Sequence, residues 1–311
     1  MTRKPQKSSL LVPAQLALGM AVFGSATPVS KIVTAAMPVF VGAGLRVALG
    51  ALVLAPFALR RWREIARISR RDWLLVALIA LFGMFGFSAL MLTGMKMVSG
   101  VAGAVVMSTT PAVTAAAAML FLREAAGWRK LGAIALAVAG VLVLQLGQQQ
   151  GGGSGGGGSS WLGIGLVFAA VCCETAYTLL GKRVSERVDP LLVAFLAAAL
   201  AVPVFLPFML WQWQDFDIAA VTGRDWAALG WYGAGTLALG SWLWYAGVAR
   251  AAGVVAAAFM GVMPVSALLL SYLLLGEPFR WLHLAGFGTV FAGVLLMSWE
   301  HARIETRQQR Q

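Results

Sequence analysis

The sequence predicts an all-α polytopic membrane protein: ten transmembrane helices in two inverted five-helix repeats, N-in and C-in with respect to the cytoplasm. Three observations predict it. Residues 71–144 and 224–297 align without a gap at an offset of 153, and 20 of the 74 paired positions are identical. The composition is 60% hydrophobic and only 12% charged, about half the charged share of a soluble domain, with a mean hydropathy of +0.82. Apolar runs long enough to cross about 30 Å of hydrocarbon can be placed ten times, and ten divides into five per repeat.

The runs fall at 10–35, 39–59, 73–93, 101–122, 130–146, 161–182, 190–211, 226–248, 254–275 and 282–299. Each is read as a helix, because open strands would leave backbone groups unpaired in lipid and the runs lack barrel alternation. The first follows a short basic stretch, Met1 to Lys7. It is too long for the apolar region of a signal peptide and is read as a retained span. In the duplicated core Arg71-Asp72-Trp73 returns as Arg224-Asp225-Trp226, Pro111 as Pro264 and Glu124 as Glu277. The first two spans repeat more faintly, Lys31 matching Lys182, Pro38 matching Pro190 and Pro56 matching Pro207. An odd number of spans per copy sends the second copy through the membrane in the opposite sense, about an axis in the membrane plane. The expected organisation is a first repeat over 1–146, a flexible external Gln/Gly/Ser linker over 147–160, a second repeat over 161–299 and a basic cytoplasmic tail over 300–311. The Gly/Ser run at 151–160 resembles an artificial tether, although such runs also occur naturally, and it is assigned no chemistry.

The net charge of +12 raises nucleic acid as a partner, and its distribution answers. With the N-terminus inside, 19 of the 24 basic residues fall on the cytoplasmic side, among them Arg60, Arg61, Arg63, Arg67, Arg70 and Arg71. The segment with Asp215, Asp217 and Asp225 falls outside. This is the positive-inside pattern of a membrane protein, and nucleic-acid binding has no support. Cys172 and Cys173 are adjacent in one span and diverge on a helix, so they are read as packing residues. With two histidines in the chain, neither a metal site nor a cofactor is expected.

Several residues carry a resemblance to a known family. Phe23-Gly24-Ser25 leads to Lys31 in the first span, Leu45-Arg46 lies in the second, and Gly276-Glu277-Pro278 precedes a Gly-rich final span. With the repeat-end Glu and its following Ala-Gly-Val-Leu, the whole chain resembles the drug/metabolite transporter superfamily, EamA type. Within that group its aromatic content is similar to that of YddG-like amino-acid exporters. Phe23 stands where many members carry Trp. The resemblance implies a cell membrane exporter of the bacterial cytoplasmic (inner) membrane. It also implies a central cavity lined mainly by spans one, three, four, six, eight and nine.

Three prolines interrupt spans: Pro28 cannot bond the carbonyl of Gly24, Pro111 that of Met107, nor Pro264 that of Met260. Met107 and Met260 are repeat mates, so spans four and nine carry equivalent weak points. These are hinge or gating candidates, and the competing reading is a static kink. Glu174, near the middle of span six, is the costliest residue to place, at about 2.5–3.5 kcal/mol on insertion scales. It is read either as a receptor for a substrate ammonium or proton, or as the structural partner of Arg46. The two differ in depth by about 9 Å at about 1.5 Å per residue, which their side chains can span as an ion pair. Tyr177 and Thr175 add hydroxyls to the same turn. In span eight Trp231, Trp242 and Tyr245 are spaced by 11 and 3 and share one face of an α-helix, a recess suited to an apolar or aromatic substrate. The interfacial aromatic belt is the alternative for Trp231, Tyr232, Trp244 and Tyr245. Phe82, Phe85, Met20 and Phe23 complete a candidate apolar cavity, or simply pack. Lys31, Lys96, Arg280 and His283 are expected to snorkel at span ends, and Glu124 and Glu277 to cap or pair locally.

The expected function is secondary, non-ATP export of small amphipathic metabolites, foremost amino acids with a lean to aromatic or hydrophobic ones. The expected mechanism is alternating access, and the partners are a small-molecule substrate and the lipid bilayer. No Walker loop is present, and neither H-E-x-x-H, G-x-S-x-G nor an intramembrane aspartate pair offers an enzyme. A drug or other metabolite exporter, or a lipid-handling or channel-like protein, remains the alternative. Small residues in spans five and ten allow close packing within the chain or between protomers, and the sequence does not choose an oligomeric state.

Overall fold

The computed structural model describes residues 11–121, 128–150, 161–185, 187–214, 216–248, 250 and 259–308, and their regular structure is helical throughout. In the first half, Leu11–Gly24 (α1) and Ala26–Ala36 (α2) form one broken rod, and Val39–Leu59 (α3) returns beside it. A short turn, Trp62–Ile65 (α4), leads to Arg70–Ile79 (α5), a π-helical segment Ala80–Gly86 (π1) and Phe87–Met97 (α6). Gly100–Met107 (α7), Thr110–Phe121 (α8) and Trp128–Gln150 (α9) complete it. The second half runs Trp161–Ser185 (α10), Pro190–Trp213 (α11), Gly223–Gly230 (α12), a second π segment Trp231–Leu239 (π2), and Gly240–Val248 (α13). Val262–Leu275 (α14) and Trp281–Gln308 (α15) end it.

Five stretches are long and apolar enough to cross a membrane: Leu11–Ala36, Val39–Leu59, Arg70–Met97, Trp161–Ser185 and Pro190–Trp213. Gly100–Thr114, Ile134–Val143 and Val262–Leu275 are apolar but shorter. A turn follows Met107 within the fourth expected span and another precedes Val262 in the ninth, and residues 251–258, which include the start of the ninth, lie outside the described residues. At two ends helix outlasts apolarity: α9 reaches Gln150 and α15 reaches Gln308, past the expected limits of 146 and 299. Gln and Arg sustain a helix where lipid contact has ended. The Gly/Ser run 151–160 lies outside the described residues.

The helix starts are written locally and twice. Ser69 caps α5, its hydroxyl accepting from the Asp72 N–H at 3.1 Å and donating to Asp72 Oδ2 at 2.7 Å. Its repeat mate Thr222 forms a capping box with Asp225 at the start of α12. The Arg-Asp-Trp repeat is thus a helix-start signal, since Ser/Thr followed three residues later by an acid satisfies orphan N–H groups reciprocally. Asp189 caps α11 ahead of Pro190, accepting from Leu191 and Leu192 N–H. α14 stops at Gly276, whose φ of 62° is the left-handed conformation that ends helices and favours glycine.

The halves pack into each other. α3 lies along α11, α9 along α15, α1 against α13 and α14, α10 against α6, and α7 against α14. Most of the core is one cluster centred on α3, α6, α10 and α11. Leu52, Leu210 and Leu273 point outward, 69%, 68% and 78% exposed, as a lipid-facing surface permits. Contacts between the halves also bridge both ends of the bundle. At the end bearing the α3 C-terminus, Arg61 pairs with Asp189 at 2.7 Å and Arg187 with Asp72 at 3.3 Å. At the opposite end Glu277 accepts from the backbone N–H groups of Gly100 and, at 2.9 Å, Val101, so the second half caps the first half's α7. Lys31 lies within electrostatic reach of Glu277. It does not snorkel as expected, because the unpaired carbonyls at the α6 C-terminus are nearer: its ammonium donates to Met95 O at 2.7 Å and Val98 O at 2.5 Å. The counterpart acid, Glu124, lies outside the described residues.

Candidate functional site

The prolines break the helices where backbone accounting places the loss. α1 ends at Gly24 and α7 at Met107, and a turn at Met260 and Gly261 precedes α14. The carbonyl that Pro111 frees is resatisfied by a side chain, and hydroxyls also bind carbonyls beside the α1–α2 break. Thr110 donates to the Met107 carbonyl at 2.7 Å, Ser25 to Val22 O at 2.6 Å, and Ser266 reaches across to Ala21 O at 2.9 Å. Hydroxyls and neighbouring helices are what make such breaks tolerable in lipid. Two breaks abut, since Gly24 lies against the Met263 carbonyl and leaves no room for a Cβ there.

Beside the break in the α7–α8 rod sits the acid. Glu174 projects from α10, and its Oε2 accepts from Thr110 Oγ1 at 3.0 Å. One turn along α8, Thr114 shares a hydrogen bond with Thr175 at 3.2 Å. Thr110 therefore has one hydroxyl proton and two acceptors in reach, the Met107 carbonyl and the Glu174 carboxyl. α10 is held on its other side by π1, where the Tyr177 ring fills the space a Cβ would take on Gly83.

The second cluster is cationic. Arg46, 6% exposed on α3, donates from Nη1 to Ser88 Oγ on α6 at 2.7 Å. Its Cζ lies 4.3 Å over the ring of Tyr232 and 5.7 Å from that of Phe87, a cation–π arrangement. Tyr232 reaches this position because Gly233 lets π2 approach the Arg46 carbonyl closely; a Cβ there would sit 2.7 Å from that oxygen. Arg46 Nε and the Tyr232 hydroxyl have no hydrogen-bond partner among the described residues. Arg46, Tyr232 and Glu174 lie within electrostatic reach of one another.

The expected ion pair between Arg46 and Glu174 is not formed among the described residues. Each is met first by a hydroxyl on the helix it faces, Ser88 for the cation and Thr110 for the acid. Tyr232 is not part of an interfacial belt: it is fully buried. The α-helical spacing that puts Trp231, Trp242 and Tyr245 on one face does not apply either. π2 covers Trp231–Leu239, and each i→i+5 turn takes in an extra residue and shifts the register. Trp231 instead donates to Ser25 Oγ at the α1–α2 break, at 2.8 Å. Trp242 is 45% exposed and makes none of the cluster's hydrogen bonds, and the Tyr245 side chain lies outside the described residues. Phe85 packs with Phe40, Phe205 and Phe208, ring centroids 4.8–6.3 Å away, while Phe82 is 41% exposed. Met20 is buried, and Phe23 lies against Gly240 of α13.

Sequence reasoning missed Thr110, Ser88 and the role of Tyr232. Thr110 had a usable signal, a hydroxyl residue directly before an intramembrane proline. Ser88 had a weaker one, being identical to its repeat mate Ser241.

The model of the EamA-like transporter family matches the chain twice, over residues 13–146 and 161–299. An uncharacterized transporter of Bacillus subtilis, YetK, is 32% identical over 284 residues, covering 90% of this chain and 84% of that protein. A second from the same organism, YyaM, is 24% identical over 229 residues and 74% of each chain. One crystal structure has the same fold, with a TM-score of 0.63 at 17% identity over 94% of this chain and 99% of that one.

Proposed function

The chain belongs to the EamA-like transporter family, a multi-pass membrane transporter and not an enzyme, and from that premise we propose that it exports small amphipathic metabolites, foremost amino acids, favouring aromatic or hydrophobic ones. The observation that carries the reading is the pairing of an intramembrane acid with a helix break: Glu174 bonded to Thr110, and Thr110 to the carbonyl that Pro111 leaves free. An acid inside a span is costly and defaults to function.

Glu174 receives the substrate's ammonium or, between substrates, a proton. An ionised Glu174 competes with the Met107 carbonyl for the Thr110 proton, and a protonated or ammonium-bound Glu174 does not. Occupancy is thereby felt at the weakest point of span four. Pro28, Pro111 and Pro264 mark the bending points, and Met107 and Met260 the carbonyls they free. The contacts between halves act as gates in an N-in, C-in arrangement. Arg61–Asp189 and Arg187–Asp72 hold the cytoplasmic end, and Glu277 on α7 holds the external end. Alternating access opens one set while the other stays closed.

Counterflow of radiolabelled phenylalanine, tryptophan and threonine in proteoliposomes of the purified chain tests the reading. Saturable exchange suppressed by unlabelled aromatic amino acids is the expected result. No exchange of any of the three by folded protein would end the amino-acid assignment, and flux that never saturates would replace a carrier with a channel.

A further inference from the structure

The Arg46 cluster contains two polar atoms that find no hydrogen-bond partner among the described residues. Arg46 Nε and the Tyr232 hydroxyl are unpaired, although Arg46 is 6% and Tyr232 0% exposed. Buried groups of this kind are rare in native proteins, and each calls for a partner. Neither atom answers the other's need. A guanidinium offers donors only, and a phenol accepting from it would still lack an acceptor for its own proton. Resting on the export reading above, we infer that Arg46 and Tyr232 form the carboxylate end of the substrate site, so that the transported molecule is a zwitterion held between this pair and Glu174.

Two features fix the chemistry. The Ser88 bond and the Tyr232 and Phe87 rings hold the guanidinium in place, leaving Nε free to bind. A fixed guanidinium edge matches a carboxylate, whose oxygens accept from the arginine and the phenol together. The second feature is charge. Ionised Arg46 and Glu174 sum to zero, and only a net-neutral ligand keeps the buried site neutral in a medium that penalises net charge. A bare amine or a bare acid would leave one unit uncompensated.

The pair is shut off in this conformation. Tyr232 is the second residue of π2. Loss of the extra residue from a π turn rotates a side chain by roughly the 100° that separates neighbours on an α-helix.

The test is counterflow of labelled phenylalanine in proteoliposomes against three competitors: phenylalanine, phenethylamine, which lacks the carboxylate, and 3-phenylpropionate, which lacks the amine. In the unmodified chain each truncated compound should compete at least about tenfold more weakly, the loss expected for one charge-assisted hydrogen bond. Tyr232→Phe should raise the half-saturating phenylalanine concentration about tenfold and shrink the gap to phenethylamine, while keeping or raising the unfolding temperature of the ligand-free protein. Arg46→Lys should do the same to the competition pattern. Equal competition by phenethylamine in the unmodified chain, or unchanged half-saturation in Tyr232→Phe, would overturn the inference and leave a water-filled niche only. Thermal stabilisation by phenylalanine separates the two readings. Stabilisation that Tyr232→Phe abolishes, without flux, would sink export and keep the carboxylate site; neither flux nor stabilisation would sink both.

Discussion

Thr110→Val is the most informative single change, because it replaces a hydroxyl by a methyl of nearly the same shape. The hydroxyl serves the Met107 carbonyl at 2.7 Å and Glu174 at 3.0 Å. Pro111 has no N–H to offer that carbonyl, so the substitution orphans it outright and strips Glu174 of its hydroxyl partner. Buried groups left unsatisfied cost about 1–3 kcal/mol each. Measured couplings inside membrane proteins average only about 0.6 kcal/mol, with a maximum of about 1.7 kcal/mol, because the unfolded chain in lipid also finds partners. A loss of about 1–2 kcal/mol follows, and Thr110→Ser, which keeps the hydroxyl, should recover most of it. The 12 tryptophans give an intrinsic-fluorescence unfolding signal in detergent. The cycle with Glu174→Gln isolates the shared bond. Stability losses that add to within about 0.3–0.5 kcal/mol would mean the two sites are independent and would refute the link between acid and helix break.

Three further outcomes are expected. Glu174→Gln should abolish the dependence of transport on a pH gradient; transport that is still pH-driven in this variant would remove Glu174 as the proton site. Glu277→Ala deprives the Gly100 and Val101 N–H groups of their acceptor. In a background without Cys172 and Cys173, a cysteine at Ser99 should then react several-fold faster with a membrane-impermeant maleimide, and an unchanged rate would mean that the clasp does not control access at that end. Trp242→Ala should weaken transport of phenylalanine and tryptophan more than that of threonine, and equal losses would count against stacking on this indole.

Much of the scaffold was legible because its signals are local. A proline removes a named hydrogen bond whatever surrounds it, so Pro28, Pro111 and Pro264 located the breaks at Gly24, Met107 and Met260. The Arg-Asp-Trp repeat marked two helix starts without revealing that Ser69 and Thr222 cap them. The π segments left no such mark: Ala80–Gly86 and Trp231–Leu239 are ordinary apolar text, packed against α10 and α3. Everything that depended on facing suffered accordingly. In an all-apolar run nothing distinguishes a ring that meets lipid from one that meets an arginine, so Tyr232 read as interfacial. Arg46 and Glu174 were conspicuous as charges, but their partners are neutral hydroxyls, which carry no long-range signal. Phe85 illustrates the converse, a plausible cavity residue that belongs to a four-ring cluster.

The two halves share their helix caps and breaks but not their chemistry. Arg46 aligns with Ala197 or Ala198, Glu174 with Val22 or Phe23, Tyr232 with Ile79 and Thr110 with Met263. A freshly duplicated gene would have carried two interchangeable copies, either of them spare. Divergence has since left the cation and one hydroxyl relay in the first copy, and the acid and the phenol in the second. Neither half can now be replaced by another copy of its sister. Descent has turned a redundancy into a partnership, and a damaging change in one half has no backup in the other.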